Sequence, residues 1–334
     1  MKAVLFPEVK KILITEVEIP KINEDEVLLK NSYAGLCGTD IHIYHGDFFS
    51  TYPLIPGHEF SGVIEELGSN VKNFKKGDAV VVYPNISCGK CYYCQRNEQN
   101  FCINLGAYGV TVNGGFAQYS KILASNLHKI DKISLKEAAL LEPLSCVIYG
   151  LSSIKVNYGD KALIFGAGPI GLIILQLLKI SGASRITVID VDKKKEKIAE
   201  QFGASEMLLN DEKLDKNLKS ISEYGFDIVI DATGKSQVCE QLFKYTNNRA
   251  RILFYGVCEK NKKISISPYD IYKKDLSIYG AFALNQTMPI AIELLKNNKI
   301  NVKDLISHEL ELSDFNKALK IVDSGDFSKI IFKC

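Results

Sequence analysis

The stretch GDKALIFGAGPIGLIILQLLKISGASRITVIDVD, Gly159 to Asp192, decides the fold. Lys161 to Phe165 is an apolar run of strand length, and Gly166 to Gly171 is a glycine-rich turn. Ile170 to Ile180 is an apolar helix closed by Gly182, and Arg185 to Asp190 is a second strand. Strand, turn, helix and strand in so short a span make one βαβ unit of the mononucleotide-binding kind. GAGPIG alone is a weak match to G-x-G-x-x-G. Following a strand, opening a helix and preceding an acidic strand end, it reads as a dinucleotide site. Gly166 permits the tight turn, Gly168 lets a pyrophosphate approach the backbone, and Gly171 lets helix and strand pack closely. Pro169 and Ile170 complete the turn at the helix start, where free N–H groups and the positive dipole end hold phosphate. Asp190 is placed to accept from the adenosine ribose hydroxyls and to repel a 2′-phosphate, so NAD is expected over NADP. The lysines at 193–195 could offset that repulsion, but they read first as a solvated helix start.

Outward from this unit, FDIVIDATG (226–234), RILFYGV (251–257) and LSIYGAF (276–282) are further strand candidates with amphipathic segments between them. Strand alternating with helix predicts a parallel, doubly wound sheet. Thr233 and Val257, in the first two of these segments, are further cofactor-binding candidates. The N-terminal residues differ in texture: VLLKNSYAG, FSGVIEELG, GDAVVVYP and GFAQYSKIL are β-rich runs between Gly, Pro, Asn and Asp. They predict an all-β, partly barrel-like domain. From Lys136, KEAALLEPLSCVIYGLSSI reads as a helix opened by a capping box of Ser134 and Glu137. The tail holds a helix (PIAIELLKNN), a strand (HELEL), a helix (DFNKALKIVDSG) and a final strand (KIIFK), and is expected to return to the first domain. The domains are then 1–147 with 288–334, and 148–287.

A length of 334 residues suits two domains. Hydrophobic content of 46%, charged content of 24% and a net charge of +2 are those of an ordinary globular protein. They argue against nucleic acid or an anionic membrane as partner. No apolar run reaches about 18 residues, so a cytoplasmic protein is expected. Nine cysteines, an odd number, make a disulfide framework a poor reading. Cys146, Cys239 and Cys258 read as buried apolar side chains and Cys334 as a terminal residue.

Cys88, Cys91, Cys94 and Cys102 in SCGKCYYCQRNEQNFC have the spacing C-x₂-C-x₂-C-x₇-C. Four thiolates on short loops close a tetrahedral zinc site with no vacant position, so the metal would brace a lobe (85–105) and do no chemistry. Ferredoxin-type clusters favour a shorter last gap and a following proline, whereas Cys102 is followed by Ile103.

GLCGTDIHIYHGD (35–47) and PGHEFSGVIEELGSNV (56–71) contain a thiol, Cys37, and an imidazole followed by a carboxylate, His58 and Glu59. These are donors that zinc accepts. GHEFSGVIEELGSNV resembles the zinc signature G-H-E-x-x-G-x₅-G-x-x-V of the medium-chain zinc-dependent alcohol dehydrogenases. With CGTDIH, the four cysteines, GAGPIG and Asp190, the resemblance runs the whole length, most closely to the sorbitol (polyol) and threonine dehydrogenase branch. It implies a GroES-like, mostly-β catalytic domain beside a Rossmann nucleotide domain, two zinc ions per chain and NAD. It makes Cys37, His58 and Glu59 catalytic zinc ligands or near-ligands, with Glu142 of LEPLSC as a direct or water-bridged fourth. Two carboxylates bound at once would make the site anionic, so one of them would be displaced or held through water in part of the cycle. Thr39 resembles the relay hydroxyl and His42 the outer proton acceptor, by way of the nicotinamide ribose, with Tyr44 a substrate-pocket aromatic. The implied reaction is reversible oxidation of a secondary hydroxyl of a polyol to the ketone. L-Threonine or a small diol is the alternative substrate. DLSIYGAFAL resembles the edge strand through which relatives pair, implying a homodimer or homotetramer.

Overall fold

The computed structural model describes residues 1–325 and 327–334. Two compact units form: Met1–Cys146 with Leu284–Cys334, and Val147–Ala283.

The first unit is built on a seven-stranded sheet. Its order is Ile306–Glu311, Lys329–Lys333, Glu26–Gly35, Glu59–Leu67, Ala79–Val82 and Leu127–Lys129, with Tyr119–Leu123 also paired to Glu26–Gly35. The tail strand Lys329–Lys333 therefore lies directly beside Glu26–Gly35, antiparallel, with Ile331 opposite Gly35. On its other side Glu26–Gly35 pairs with Glu59–Leu67, and there Gly35 faces Glu59. One register thus draws three distant segments of chain together at Gly35. The core beneath includes Phe6, Phe60, Phe116, Phe315 and Phe332, all essentially inaccessible. Phe116, Phe315 and Phe332 meet at ring-centroid distances of 5.2–5.4 Å. Burying each such side chain stabilises by about 1.5–3 kcal/mol, and each aromatic pair adds about 0.5–1.5 kcal/mol.

The second unit is an all-parallel six-stranded sheet. The order is Glu206–Leu209, Arg185–Asp190, Lys161–Phe165, Phe226–Asp231, Thr246–Phe254 and Ser277–Gly280. Chain direction across the sheet reverses at Lys161–Phe165, the switch point outside whose carboxyl ends such sheets bind ligands. The expected parallel, doubly wound architecture is present. Among the described residues no helix is long and apolar enough to cross a membrane.

One predicted element differs. The helix expected from Lys136 onward is two, Leu135–Ala138 and Leu141–Ser152. Pro143 is the cause: in a continuous helix its ring would clash with the carbonyl of Ala139. Restarting at Leu141 puts it in a first turn, where no N–H is required. Ser134 does cap the first piece, accepting from Glu137 N.

Candidate active site

Cys37 is the N-cap of the helix Gly38–His45, which ends at Gly46 in the left-handed region (φ 82°). Its thiol, the His58 imidazole and the Glu59 carboxylate place one donor atom each within 4.8 Å of one another. His58 and Glu59 are buried and Cys37 is half-buried. Gly57, at φ +92°, turns the chain into this trio, and a Cβ there would stand 2.6 Å from the Phe116 ring.

Asp40 organises the set, a role the sequence reading did not assign. Wholly buried on the helix, it accepts from Cys37 N at 2.9 Å through Oδ2 and from Gly57 N at 3.2 Å through Oδ1. Its Oδ1 lies 3.5 Å from His58 Nδ1, a charge contact too long for a hydrogen bond. Among the described residues His58 Nδ1 has no hydrogen-bond partner. Burial alone would lower the His58 pKa, but the charges of Asp40 and then Cys37 hold it well above the usual imidazole value. The local potential therefore favours a cation. A soft thiol, an imidazole with an unspent nitrogen and a carboxylate fit a zinc ion.

Lys329 is the second residue missed. Its Nζ is 2.7 Å from Glu59 Oε1 and 2.5 Å from Oε2, with both side chains buried. Burial alone would lower its pKa; Glu59, Cys37 and Glu142 raise it instead. A Cβ at Gly35 would lie 2.2 Å from Glu59 Oε2 and 3.2 Å from Lys329 Cε, so only glycine leaves room for this pair. A lysine opening the apolar run KIIFK was the available signal.

Glu142 is buried but stands outside the trio. Burial is the main reason its pKa rises to about 7; Glu59 adds to the shift, while His58, the Cys146 thiol and Lys329 oppose it. Cys146, read from sequence as core packing, is half-buried and donates to Glu142 Oε1 at 3.2 Å. It faces the site because Glu142 and Cys146 are one helical turn apart. Thr39 and His42 lie half-buried on the helix Gly38–His45. Tyr44 packs edge-on against Phe6 at 5.8 Å and so belongs to the margin of the core.

The four-cysteine lobe is closed at its base by the pairing of Asn85–Ile86 with Gly106–Ala107. Cys88, Cys91, Cys94 and Cys102 place their sulfurs within 4.8 Å of one another. Cys91 Sγ is 3.5 Å from Cys94 Sγ and 3.9 Å from Cys102 Sγ. Backbone N–H groups of Cys94 and Ile103 pull the Cys91 pKa down to about 6, and burial pushes Cys94 up to about 11. Backbone amides aimed at sulfur are what a thiolate cluster around a metal uses.

In the second unit Gly168 caps the helix Pro169–Ile180, and Gly166 sits at φ +108°. A Cβ on Gly171 would meet Gly166 O at 1.9 Å. Asp190 ends its strand, buried, with Oδ2 accepting from Ala167 N at 2.7 Å. Lys195, read as part of a solvated helix start, instead pairs with Asp190 at 3.2 Å. Thr233 donates through Oγ1 to Asp231 Oδ1 at 2.6 Å, and Val257 is exposed.

Residues 23–132 match the alcohol dehydrogenase GroES-like domain and residues 169–297 the zinc-binding dehydrogenase domain. A protein of Uromyces fabae named D-arabinitol dehydrogenase 1 is 36% identical over 338 residues, covering 100% of this chain and 97% of its own. A Sinorhizobium meliloti zinc-binding dehydrogenase solved with NADP superposes with a TM-score of 0.94 at 29% identity, covering 100% of this chain and 99% of that one. An Escherichia coli CFT073 alcohol dehydrogenase solved with NADH gives the same TM-score of 0.94, at 29% identity and with the same coverage of 100% and 99%. A full-length match of this kind, over a fold and a donor set of this kind, leaves one assignment: the chain is an oxidoreductase of the zinc-binding dehydrogenase family.

Proposed function

We propose that the chain oxidises a secondary hydroxyl of a polyol or sugar alcohol to the ketone, reversibly, with NAD. Residues 1–147 with 288–334 would act as the catalytic domain and 148–287 as the nucleotide domain. Two zinc ions per chain are proposed. A catalytic one is held by Cys37, His58 and Glu59, with Glu142 direct or through water; a structural one is held by Cys88, Cys91, Cys94 and Cys102. The observation that carries the reading is the convergence of thiol, imidazole and carboxylate on one buried point.

Held by Cys37, His58 and Glu59, a zinc ion would supply Lewis acidity toward a bound hydroxyl, and NAD would supply the hydride acceptor. The chain's residues set the charge. Cys37 thiolate and Glu59 carry one negative charge each, and Lys329 returns one positive charge beside Glu59. The Lys329 charge revises the valence count made from the ligands alone. Asp40, 3.5 Å from His58, adds one negative charge, so with zinc the set would be near neutral and able to take an anionic oxygen. Asp40 holds the Cys37 and Gly57 backbone so that both donors face one point. Thr39 and His42 are proposed to pass the released proton outward.

The whole-length likeness to D-arabinitol dehydrogenase 1 supports a polyol over threonine or a small diol. Asp190 at its strand end supports NAD, against the offsetting charge of Lys195 at 3.2 Å. A panel of arabitol, sorbitol, xylitol, butanediol and threonine with NAD and with NADP, followed by nicotinamide absorbance, tests both parts. Threonine turnover without polyol turnover would replace the substrate assignment, and a kcat/KM greater with NADP would replace the cofactor. An odd count of nine cysteines, five of them assigned here to zinc, supports a reducing, cytoplasmic setting. The strand Ser277–Gly280 lies at a sheet edge, which supports pairing into a homodimer or homotetramer, measurable by light scattering.

A further inference from the structure

A third cluster of donors lies in the nucleotide-binding unit, outside both sites above. Cys239 and Cys258, read from sequence as buried apolar side chains, are in polar contact. Asp231 ends the strand Phe226–Asp231, Cys239 is on the helix Ser236–Gln241, and Cys258 follows the strand Thr246–Phe254. Those two strands are parallel neighbours with Asp231 opposite Phe254. Beyond Phe254 the chain is pinned back, because Tyr255 N and Gly256 N both donate to Asp231 O, at 3.1 and 3.0 Å. A Cβ on Gly256 would lie 2.7 Å from Asp231 Oδ2, so the absence of a side chain there is what lets the loop come so close.

The result is a compact triad. Cys239 Sγ lies 3.5 Å from Asp231 Oδ2 and 3.5 Å from Cys258 Sγ. One donor atom from each of the three residues lies within 4.8 Å of the others. Asp231 is wholly inaccessible. Its side chain accepts from Thr233 N, Thr233 Oγ1, Gly234 N and the Cys239 thiol, and none of these is a cation. A buried carboxylate held only by neutral donors is a costly charge. Tetrahedral zinc with thiolates at about 2.3 Å and a carboxylate oxygen at about 2.0 Å separates its ligand atoms by roughly 3.5–3.8 Å. The triad's two closest separations already match that spacing.

We infer that Asp231, Cys239 and Cys258 form a third metal site, selective for a thiophilic divalent ion of the zinc class. Binding replaces the two thiol protons, which leave to solvent, with one ion bonded to both sulfurs and to Asp231 Oδ2. Water or a ligand takes the fourth position on the side of half-buried Cys258. The ion ties the loop after one strand to the loop after its neighbour, and so braces the backbone that carries Thr233 and Val257.

The test is metal content at equilibrium. The full-length protein and the variants Cys258→Ser and Cys239→Ala are dialysed against zinc, and zinc per chain is measured by mass spectrometry. Wild type is expected to hold one more equivalent than either variant and to melt at a higher temperature than Cys258→Ser, a gap that a chelator closes. Cobalt should reproduce the extra equivalent, with thiolate-to-metal absorption that Cys258→Ser reduces. Should Cys239→Ala not fold, Cys258→Ser decides, since Cys258 lies in a half-buried loop. Equal zinc content in wild type and Cys258→Ser would overturn the site. So would a Cys239–Cys258 disulfide in the freshly isolated protein, seen by non-reducing peptide mapping.

Discussion

Lys329 Nζ lies 2.5 Å from Glu59 Oε2, across 270 residues of sequence, with both side chains buried and Gly35 making the room. A proposed metal ligand is thus also the partner of a buried ammonium. Removing one member of a buried pair strands the other, at a cost of about 3–5 kcal/mol. Lys329→Met is expected to lower the melting temperature of zinc-depleted protein strongly. Gly35→Ala, which intrudes on the same pair, is expected to cost about 1–3 kcal/mol. Differential scanning calorimetry of the chelated proteins checks both, and unchanged melting temperatures would deny the pair its structural weight.

Asp40 acts through His58 and Cys37. Asp40→Asn keeps the shape but removes the charge 3.5 Å from His58 Nδ1. Partners behind a metal's ligands typically matter about 10–100-fold in affinity or activity. The variant is expected to bind zinc more weakly by that factor, measured by competition with a chromophoric chelator, and to keep its four-cysteine zinc.

Glu142 gives the pH dependence. Its folded pKa, about 7, is above the ordinary 4.5, so the folded state binds its proton more tightly than the unfolded state. Stability from this group is complete below the unfolded pKa and is lost as pH rises through 7. The shift corresponds to about 3 kcal/mol. Zinc-depleted wild type is expected to lose melting temperature between pH 5 and pH 7.5 relative to Glu142→Gln. Parallel curves for the two proteins would contradict the buried-carboxyl account.

The two proposed zinc sites should fail differently. Cys37→Ser is expected to lower kcat/KM roughly a thousandfold or more, at least about 4 kcal/mol of barrier, with the fold retained. Cys91→Ser is expected to loosen the lobe at residues 85–105 and lower the melting temperature, with its zinc lost, while turnover persists. Most of the activity surviving Cys37→Ser would remove the catalytic assignment.

Much of this was legible because it is local. The strand–turn–helix at Lys161–Ile180 is written in a short apolar run, a glycine at 166 that takes a positive φ, and an unbroken apolar helix face. The sulfurs at 88, 91, 94 and 102 are close in space largely because they are close in sequence. Cys37, His58 and Glu59 were marked by their motif. The helix break at Ala139–Leu140 is also local: Pro143 forces it, although the cap and the apolar spacing predict one continuous helix.

The amino-acid sequence by itself determined the parallel nucleotide-binding sheet and the identity of the metal-type donors, since both rest on neighbours a few residues apart. Only the tertiary structure decided what surrounds those donors. Lys329 reaches Glu59 through the register of Glu26–Gly35 with strands on both sides, and Cys258 reaches Asp231 because their two strands end side by side. Pairing between strands is set by packing over the whole sheet, and no short-range pattern encodes which distant residue will stand opposite.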